Sequence, residues 1–552
     1  MQTAAATSSN ISDTSTTYDH VRYPSHPFGE THPDLLATLG SLFGMNPARL
    51  ESCRVLELGC GEGANLIPMA FQWPGSEFVG IDLSMEAIRY GNDFIGRLGL
   101  RNILLRSLDI MEIDKDFGSF DYILVHGVYS WVPAAVREKV LSIFRQNLAP
   151  QGIAFVSYNC YPGCHSRDIA RQIMRYHVRD EADPQERAKQ SRAVLQFLAE
   201  ASAEDTIYGF ELRNQLDRIN DIDDRVLFHD DLSDVASPFY LHQVVEAAAR
   251  HGLQYLSDAA FAMSHLGRLS PKARERLSVI PEDDVLTREQ YMDFVEGRAF
   301  RESLFCHREV TLQRRFDPKT IEKYHLATSA RAADGPVDPA AAGIVTFKTE
   351  SGSTLSTDHR LSKAMIQMLG ARWPETMCFA DALEQALLAL GPAAGPVRAN
   401  LDEEVEALGS LLYRAFSAGQ FELHRSPPSL TATIGARPRA SFLARQQAEN
   451  GVVVTNLRHR SVSLKDEAVR KFLILVDGTR TVQDLVFDLK ATIPEGVGAT
   501  VTHDGVEENL RLLAKLGLLV PDGAGFDAAP APPGGAIPMP APTHDRHATG
   551  GN

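Results

Sequence analysis

The feature that most constrains the fold of this chain is a glycine-rich turn between a predicted strand and a predicted helix, within residues 54–71. The turn contains three glycines at alternate positions, Gly59, Gly61 and Gly63. A second apolar strand follows and ends in an acid, Asp82, which is 19 positions after Gly63. This order is typical of a Rossmann-type nucleotide site, in which glycine lets the backbone approach the ligand and the acid binds ribose hydroxyls.

The charges around the turn indicate which nucleoside it binds. Dinucleotide sites hold a pyrophosphate against the glycine turn and the N-terminus of the following helix. Here Glu57 precedes the turn and Glu62 lies within it, and two carboxylates would repel a pyrophosphate. They suit a ligand with a sulfonium and an ammonium group, and the spacing is G-x-G-x-G rather than G-x-G-x-x-G. The sequence therefore predicts S-adenosylmethionine as the cofactor.

Three further predicted strands end in residues that can contact a ligand. The third ends in Asp109, which we expect to bind the adenine amino group, the fourth in His126 and the fifth in Tyr158. Ligands of open parallel sheets bind beyond the C-terminal ends of the strands, so these side chains are expected to lie together. An unrelated βα protein with acidic strand ends is the alternative, and four motifs in the right order disfavour it. The predicted cofactor-binding residues are Glu57, Gly59, Cys60, Gly61, Asn65, Asp82, Leu83, Ser84, Asp109, Ile110, His126 and Gly127.

Four longer phrases narrow this prediction: THPD at 31–34, NLIPM at 65–69, HGVYSWV at 126–132 and SYNCYPG at 157–163. With these motifs the chain resembles class I S-adenosylmethionine-dependent methyltransferases, and within them a bacterial group that carries a methyltransferase regulatory region. The rickettsial lysine methyltransferases that modify outer-membrane proteins belong to that group. One departure concerns Cys164, since an aromatic residue, usually Trp, follows the Pro-Gly in the family. If that side chain lines the substrate pocket, the pocket is wider here, and the substrate of this enzyme cannot be assigned from the substrates of the family.

The resemblance spans roughly residues 18–520 and implies an α/β fold. We expect a Rossmann-like, seven-stranded methyltransferase sheet with helical insertions, followed by two winged-helix-like α+β units. In similar enzymes the segment around Tyr18 and Tyr23 folds over the cofactor. The expected divisions are a disordered tail at 1–17, the methyltransferase domain at 18–326 with insertions at about 165–233 and 265–298, a linker at 327–343, winged-helix-like units at 344–428 and 429–521, and a disordered tail at 522–552.

Both insertions read as mostly helical. The first leaves the sheet beside the expected active-site edge, where lids of enzymes are commonly found. We interpret it as a lid or a dimerisation module, so that a homodimer is one hypothesis. Decoration of the scaffold without a role in activity is the alternative.

The chemistry of methyl transfer selects the candidate catalytic residues. The protein must align the nucleophile with the methyl carbon and exclude water. A lysine amine, with an ordinary pKa of about 10.4, must also lose a proton before it attacks. Aromatic walls assist by desolvating the ammonium and by cation–π attraction. Tyr129, Trp131 and Tyr158 are the candidates for such walls, although core packing is the more common role of each alone, and His126 could contact the cofactor or relay a proton.

Three functions remain open at this stage. The chain could be a protein lysine methyltransferase, a small-molecule methyltransferase with accessory interaction domains, or a non-catalytic scaffold that keeps a nucleoside pocket. Intact Glu57, Asp82 and Asp109 disfavour the scaffold. The long C-terminal half favours a protein substrate, because a metabolite needs no docking platform.

Composition excludes several other classes. The net charge is −16 with an isoelectric point near 5.6, which argues against nucleic acid as a partner. Six cysteines without a C-x-x-C pair suggest a reducing compartment, and Cys160, Cys164 and His165 are too few to make a metal site. Residues 1–17 lack the basic and apolar regions of a signal peptide, and no apolar run reaches the ~18 residues of a membrane span. We therefore expect a cytoplasmic enzyme without a metal.

Overall fold

The structure is a computed structural model that describes residues 25–492 and 501–523. The predicted tail at 1–17, almost all of the tail at 522–552, and Tyr18 and Tyr23 lie outside the described residues. The described chain forms the predicted α/β fold, in which a large mixed sheet is followed by smaller helical units with short strands.

The sheet has seven strands in the order β3-β2-β1-β4-β5-β7-β6, and β7 runs antiparallel to both of its neighbours. The prediction of a seven-stranded, Rossmann-like sheet is therefore confirmed. Strands β1 to β5 are mutually parallel, which brings their C-terminal ends to one edge. The strands are β1 (Arg54–Leu58), β2 (Glu77–Asp82), β3 (Ile103–Ser107), β4 (Phe120–Val125), β5 (Leu148–Asn159), β6 (Leu253–Asp258) and β7 (Phe300–His307).

Helices connect the strands, and their ends are fixed by local sequence. The third helix shows this, because the Ser84 hydroxyl accepts a hydrogen bond from the backbone N–H of Ala87 and Gly99 ends the helix with a φ of 67°. Gly91 of the same helix allows close packing on the glycine turn, since a Cβ there would lie 2.4 Å from the carbonyl oxygen of Glu62. The helices of this half are α1 (Pro33–Leu42), α2 (Leu66–Gln72), α3 (Met85–Leu98), α4 (Ala134–Asn147), α5 (Cys164–His177), α6 (Pro184–Ala201), α7 (Ile207–Asn220), α8 (Leu241–Arg250), α9 (Pro271–Leu277) and α10 (Val285–Glu296).

The two expected insertions are helical. Helices α5 to α7 enclose a hydrophobic cluster of their own, which includes Met174, Leu195 and Leu212. Helix α10, in the second insertion, is joined to the sheet by the fully buried Arg301 of β7, which forms ion pairs of 2.8 to 3.1 Å with Asp293 and Asp258. The second insertion is therefore held to the sheet by buried charge pairing.

The C-terminal half contains a middle unit (residues 325–428) and a C-terminal unit (residues 436–523). The middle unit includes β8 (His325–Ala327), which pairs with β12 (Met377–Cys378) and β13 (Glu422–His424), so strand pairing begins before the expected linker at 327–343. Strand β9 (Arg331–Ala332) lies inside that expected linker and pairs with β10 (Val345–Lys348). The elements of the middle unit are β8, β9 (Arg331–Ala332), β10 (Val345–Lys348), β11 (Thr354–Thr357), α11 (Arg360–Arg372), β12 (Met377–Cys378), α12 (Phe379–Ala389), α13 (Ala394–Ala399), α14 (Leu401–Ser417) and β13 (Glu422–His424). Those of the C-terminal unit are α15 (Phe442–Asn450), β14 (Val453–Thr455), β15 (Ser461–Ser463), α16 (Glu467–Leu475), α17 (Val482–Thr492) and α18 (His503–Lys515).

The middle unit shares its hydrophobic core with one face of the large sheet. A single cluster of buried side chains includes Phe155 of β5, Leu39 of α1, and Met365 and Leu408 of the middle unit. The C-terminal unit has a separate cluster around Leu473 and Leu510. The large sheet and the middle unit thus depend on each other for burial of apolar surface. In the described ranges, no helix combines the length and the apolar character that crossing a membrane requires.

Candidate active site

The glycine turn and Asp82 form a preorganised loop at the C-terminal edge of the sheet. Gly59 has a φ of 78°, and a Cβ there would lie 2.4 Å from Val128 Cγ2, so only glycine fits between β1 and the segment after β4. The Asp82 carboxylate accepts hydrogen bonds from the backbone N–H groups of Gly61 (2.8 Å) and Ser84 (2.9 Å). This locks the carboxylate in place at the edge of the sheet, and a carboxylate is the kind of acceptor that ribose hydroxyls need.

Glu57 is buried next to this loop and is incompletely hydrogen-bonded. Its Oε1 accepts a 2.8 Å bond from Asn65 Nδ2, whereas its Oε2 is buried without a hydrogen-bond partner among the described residues. Burial raises the pKa of Glu57 to about 8, the Asn65 bond opposes this, and the nearby Asp82 carboxylate adds to it. A buried carboxyl oxygen without a donor is suited to receive a cationic group, because an unsatisfied buried acceptor is otherwise costly.

Asn65 is the hub of a hydrogen-bond network that sequence analysis did not anticipate. Its Oδ1 accepts from the backbone N–H of Phe28 (3.0 Å) and lies 2.8 Å from His459 Nε2. Its Nδ2 donates to Thr31 Oγ1 as well as to Glu57. Residues 25–32, here named the N-terminal strap, are therefore fastened over the ends of β1 and β4.

His126 is part of an aromatic stack beneath the strap. The imidazole ring lies 3.7 Å from the Phe28 ring between centroids, nearly parallel to it, and 6.2 Å from the Phe300 ring. Burial lowers the pKa of His126 to about 4, so the ring is neutral at neutral pH. The structure brings His126 to the predicted edge, as a neutral aromatic surface.

The three aromatic residues that are candidates for the walls of the substrate site lie in different environments. Tyr158 is fully buried, and its hydroxyl lies 2.9 Å from Ser303 Oγ inside the hydrophobic core. Tyr129 is also buried in this core, and burial raises its pKa to about 12. Trp131 is half-buried, with the Arg167 guanidinium of α5 located 5.9 Å from its ring centroid. Both tyrosines therefore pack in the core, the alternative role that the sequence analysis named, whereas Trp131 stays partly accessible.

The rim expected to contact adenine is apolar and partly exposed. Leu83, directly after Asp82, is 55% exposed, and Ile110 is half-buried. The Asp109 carboxylate accepts the backbone N–H of Met111 at 2.9 Å and begins a short 3-10 helix. Of the remaining predicted contacts, Cys60 is buried and Gly127 donates its N–H to Ser157 Oγ at 2.8 Å. The predicted cofactor residues thus meet at one edge of the sheet.

The Cys164 departure has a structural explanation. The Cys164 side chain is buried at the start of α5, and its thiol lies 3.2 Å from the Ala299 carbonyl oxygen. The neighbouring aromatic surface comes from Tyr161, whose ring stacks on His165 at 4.1 Å and whose hydroxyl donates to Asp168. Cys164 does not line an open pocket, so the expected widening at this position is not seen.

Four residues near the edge were missed by sequence reasoning: Phe28, Glu30, Glu302 and His459. Glu302 of β7 pairs with Ser157 of β5, and alternation along the strand puts its side chain on the face shared by Phe300 and Leu304. Burial together with the Glu30 carboxylate raises the pKa of its carboxyl to about 8. No local motif marks Glu302, although an acid within an apolar strand was a usable signal.

These residues fit S-adenosylmethionine. Glu57 Oε2 is an acceptor in need of a cation, and the ligand carries an ammonium group. Asp82 is held by two backbone amides beside the exposed apolar Leu83, which suits a ribose next to a base. Glu57, Asn65 and Asp82 would hold the amino-acid and ribose ends, and Leu83 and Ile110 the base.

Comparison with known proteins agrees with the site. Residues 50–208 match the family described as a methyltransferase domain, and residues 223–307 match a predicted methyltransferase regulatory domain. Residues 436–509 match a PKMT C-terminal winged helix domain. An uncharacterised protein of Rickettsia prowazekii (strain Madrid E) is 32% identical over 459 residues, which cover 81% of each chain. This chain belongs to the regulatory-domain family of S-adenosylmethionine-dependent methyltransferases.

Two further relatives extend this assignment. A second uncharacterised R. prowazekii protein is 36% identical to the methyltransferase over 240 residues, which cover 43% of this chain and 96% of the relative. The structure of PKMT2 from Rickettsia typhi in complex with AdoHcy is similar over 90% of this chain and all of its own, with 29% identity and a TM-score of 0.79. The similarity therefore includes the middle and C-terminal units as well as the large sheet.

Proposed function

We propose that this methyltransferase transfers methyl groups to lysine amines of a protein substrate. The observation that carries the proposal is the half-buried carboxyl of Glu302, which shares one face of β7 with Phe300 at the cofactor edge. The Glu30 carboxylate is near enough to raise the pKa of Glu302, and the Phe300 and His126 ring centroids are 6.2 Å apart. Two carboxyls and aromatic rings suit a cation better than a neutral or anionic acceptor.

In this proposal the aromatic side chains desolvate the substrate amine, and an acidic side chain accepts its proton. When bound, S-adenosylmethionine supplies an activated methyl group. Phe28, His126 and Phe300 desolvate the incoming ammonium, which lowers its pKa. The Glu302 carboxylate takes one proton, breaking an N–H bond and forming an O–H bond, and leaves a neutral amine with a free lone pair. His126 is neutral and does not compete for that proton.

Similarity supports the choice of a protein substrate. The similar solved structure is that of PKMT2 from Rickettsia typhi, and the family that matches the C-terminal unit is a PKMT winged helix domain. The middle and C-terminal units together provide a surface much larger than a metabolite requires. The cytoplasm is our proposed compartment, in accord with six scattered cysteines.

A homodimer is proposed through the first insertion. Helices α6 and α7 expose the large apolar side chains of Phe197 (63%), Ile207 (90%) and Phe210 (62%). We infer that these side chains form one apolar patch, and such a patch commonly marks an interface. Light scattering of the wild type and of Ile207→Asp tests this, and a monomeric wild type would contradict it.

The function is tested by labelling source-cell lysate with methyl-labelled S-adenosylmethionine and the purified enzyme. We expect label in protein, recovered as methyl-lysine after hydrolysis and lost when lysines of the lysate are first acetylated. Glu302→Gln should reduce the label, whereas Glu309→Gln, an exposed acid just beyond β7, should not. Label confined to small molecules would favour the alternative, a small-molecule methyltransferase with accessory interaction domains.

A further inference from the structure

The β14–β15 hairpin of the C-terminal unit reaches the cofactor site through His459. The turn is held by Asn456, whose Oδ1 accepts the backbone N–H groups of Arg458 (3.0 Å) and Arg460 (2.9 Å). Among the described residues, His459 is the one non-glycine residue with positive φ, at 57°. A left-handed residue at the tip of a rigid turn directs its side chain to a defined position, which here is the interior of the enzyme.

His459 is enclosed by residues of the cofactor edge. Its side chain is 1% exposed, its ring lies 5.1 Å from the His32 ring, and its Nε2 is 2.8 Å from Asn65 Oδ1. Asn65 donates through Nδ2 to Glu57 and Thr31, which identifies its Oδ1 as the acceptor. His459 therefore carries its proton on Nε2, and the donor chain runs from His459 to Asn65 and from Asn65 to Glu57.

We infer that His459 is a positioning residue of the cofactor site, supplied by the winged-helix unit and acting through Asn65 on Glu57. Removal of the imidazole leaves the Asn65 amide with one donor fewer on Oδ1, held there by the backbone N–H of Phe28. The donor that Asn65 presents to Glu57 Oε1 is then fixed less firmly, and so is the carboxyl that receives the cofactor's ammonium. The winged-helix unit thereby sets cofactor affinity, and by linkage a bound cofactor stabilises docking of the hairpin.

A separate anchor distinguishes this role from simple docking. Arg458 pairs with Glu422 of the middle unit at 2.9 Å, and its guanidinium lies 3.7 Å from the Trp373 ring centroid. Because Arg458 holds the same turn, the hairpin stays docked when the His459 side chain is changed. A change in S-adenosylmethionine affinity in a His459 variant is then an effect on the cofactor site and not the result of an undocked hairpin.

The test uses the full-length enzyme and S-adenosylmethionine alone, so that it does not depend on the lysine proposal. Calorimetry should show that His459→Ala raises the Kd for S-adenosylmethionine at least about fivefold, as expected for one lost hydrogen bond. At saturating cofactor, kcat should change less than the KM for cofactor. His459→Gln, which keeps a donor, should recover most of the affinity, and Arg460→Ala, exposed in the same turn, should change nothing. An unchanged Kd for His459→Ala would overturn the inference.

A second measurement on the wild type covers the case in which His459→Ala does not fold. Hydrogen–deuterium exchange of residues 453–463 should slow when S-adenosylmethionine is added, because docking and cofactor binding are linked. Exchange of these residues that is the same with and without cofactor, at saturation, would equally overturn the inference.

Discussion

His424 Nδ1 of strand β13 donates a 2.8 Å hydrogen bond to the Asp34 carboxylate of helix α1, across 390 residues of chain. Asp34 also accepts the backbone N–H groups of Arg425 and Ser426, at 2.9 and 2.6 Å. Its buried carboxylate therefore joins helix α1 to the end of the middle unit. Asp34 belongs to the THPD motif noted in the sequence. The motif has a structural role as well as its place beside the cofactor edge.

Asp34→Asn should lower the free energy of unfolding by about 1.5–3 kcal/mol, the usual worth of hydrogen bonds to a charged group. Thermal or urea unfolding at neutral pH measures this. Asp180→Asn, at an 86% exposed side chain, is the matched control and should have little effect. Equal stability of the two variants would mean that Asp34 contributes no more than a surface acid.

The hydrogen-bonded pair of His424 and Asp34 predicts that the protein loses stability at alkaline pH. Burial opposes a charge on His424, yet its bonds to Asp34 and Glu422 raise its pKa from 6.5 to about 9. Because the folded-state pKa is raised, the contribution is complete below pH 6.5 and is lost as the pH rises through about 9. The melting temperature of the wild type should fall between pH 6.5 and 9 more steeply than that of Asp34→Asn. Parallel curves would argue against a charged His424.

A chain that ends at Leu326 should not fold cooperatively. Its large sheet would lose the buried partners that Met365 and Leu408 provide in the shared cluster. Limited proteolysis and thermal unfolding, compared with the full-length enzyme, measure this. A compact, cofactor-binding fragment would show that the sheet can bury its own face without the middle unit.

Asp82→Ala should weaken S-adenosylmethionine binding at least roughly tenfold, since charge-assisted bonds to ribose are worth about 1.5–3 kcal/mol. Calorimetry measures the affinity, and circular dichroism checks that the glycine turn survives loss of the Gly61 and Ser84 bonds. Asp93→Asn, exposed on α3, is the control. Unchanged affinity for the Asp82 variant would remove this carboxylate from the site.

Tyr158→Phe and Trp131→Ala should separate stability from turnover. Tyr158→Phe removes the 2.9 Å contact with Ser303 and should cost about 1 kcal/mol of stability with little change in kcat.

Trp131→Ala should instead reduce turnover on protein substrate with cofactor affinity near that of the wild type. Should Trp131→Ala abolish cofactor binding or unfold the enzyme, Trp131 is a core residue.

The pH dependence of catalysis should report Glu302. Because its pKa is raised to about 8, the carboxylate form that accepts a proton becomes populated as the pH rises through 8. The kcat/KM for protein substrate should rise across that range in the wild type, and Glu302→Gln should lower it and flatten the profile. A profile that is unchanged by Glu302→Gln would exclude this residue as the proton acceptor.

The sequence by itself determined the cofactor edge, because its parts are close in the chain. Gly59 and Gly61 lie in one turn, and Asp82 follows them at the end of the next strand, after one helix and one further turn. The parallel βαβ unit that these elements form has a single favoured handedness. The glycine spacing and the acids of these segments were therefore sufficient to predict a Rossmann-type nucleotide site and its ligand, whereas the seven-stranded sheet was implied by the family resemblance. The aromatic residues after β4 and β5 were correctly placed at strand ends, but periodicity alone could not separate core from pocket.

Tertiary structure alone decided which distant side chains complete the site. His459 and Asn65 are 394 residues apart, and the Glu30 carboxylate influences the pKa of Glu302 only because β7 inserts between β5 and β6. The burial of Tyr158 likewise depends on Ser303 of that inserted strand. Long-range packing sets such contacts, and no local pattern in the chain encodes which buried faces will be shared. The backbone around the cofactor follows from neighbouring residues, whereas the groups that hold and close it follow from how the separate units pack together.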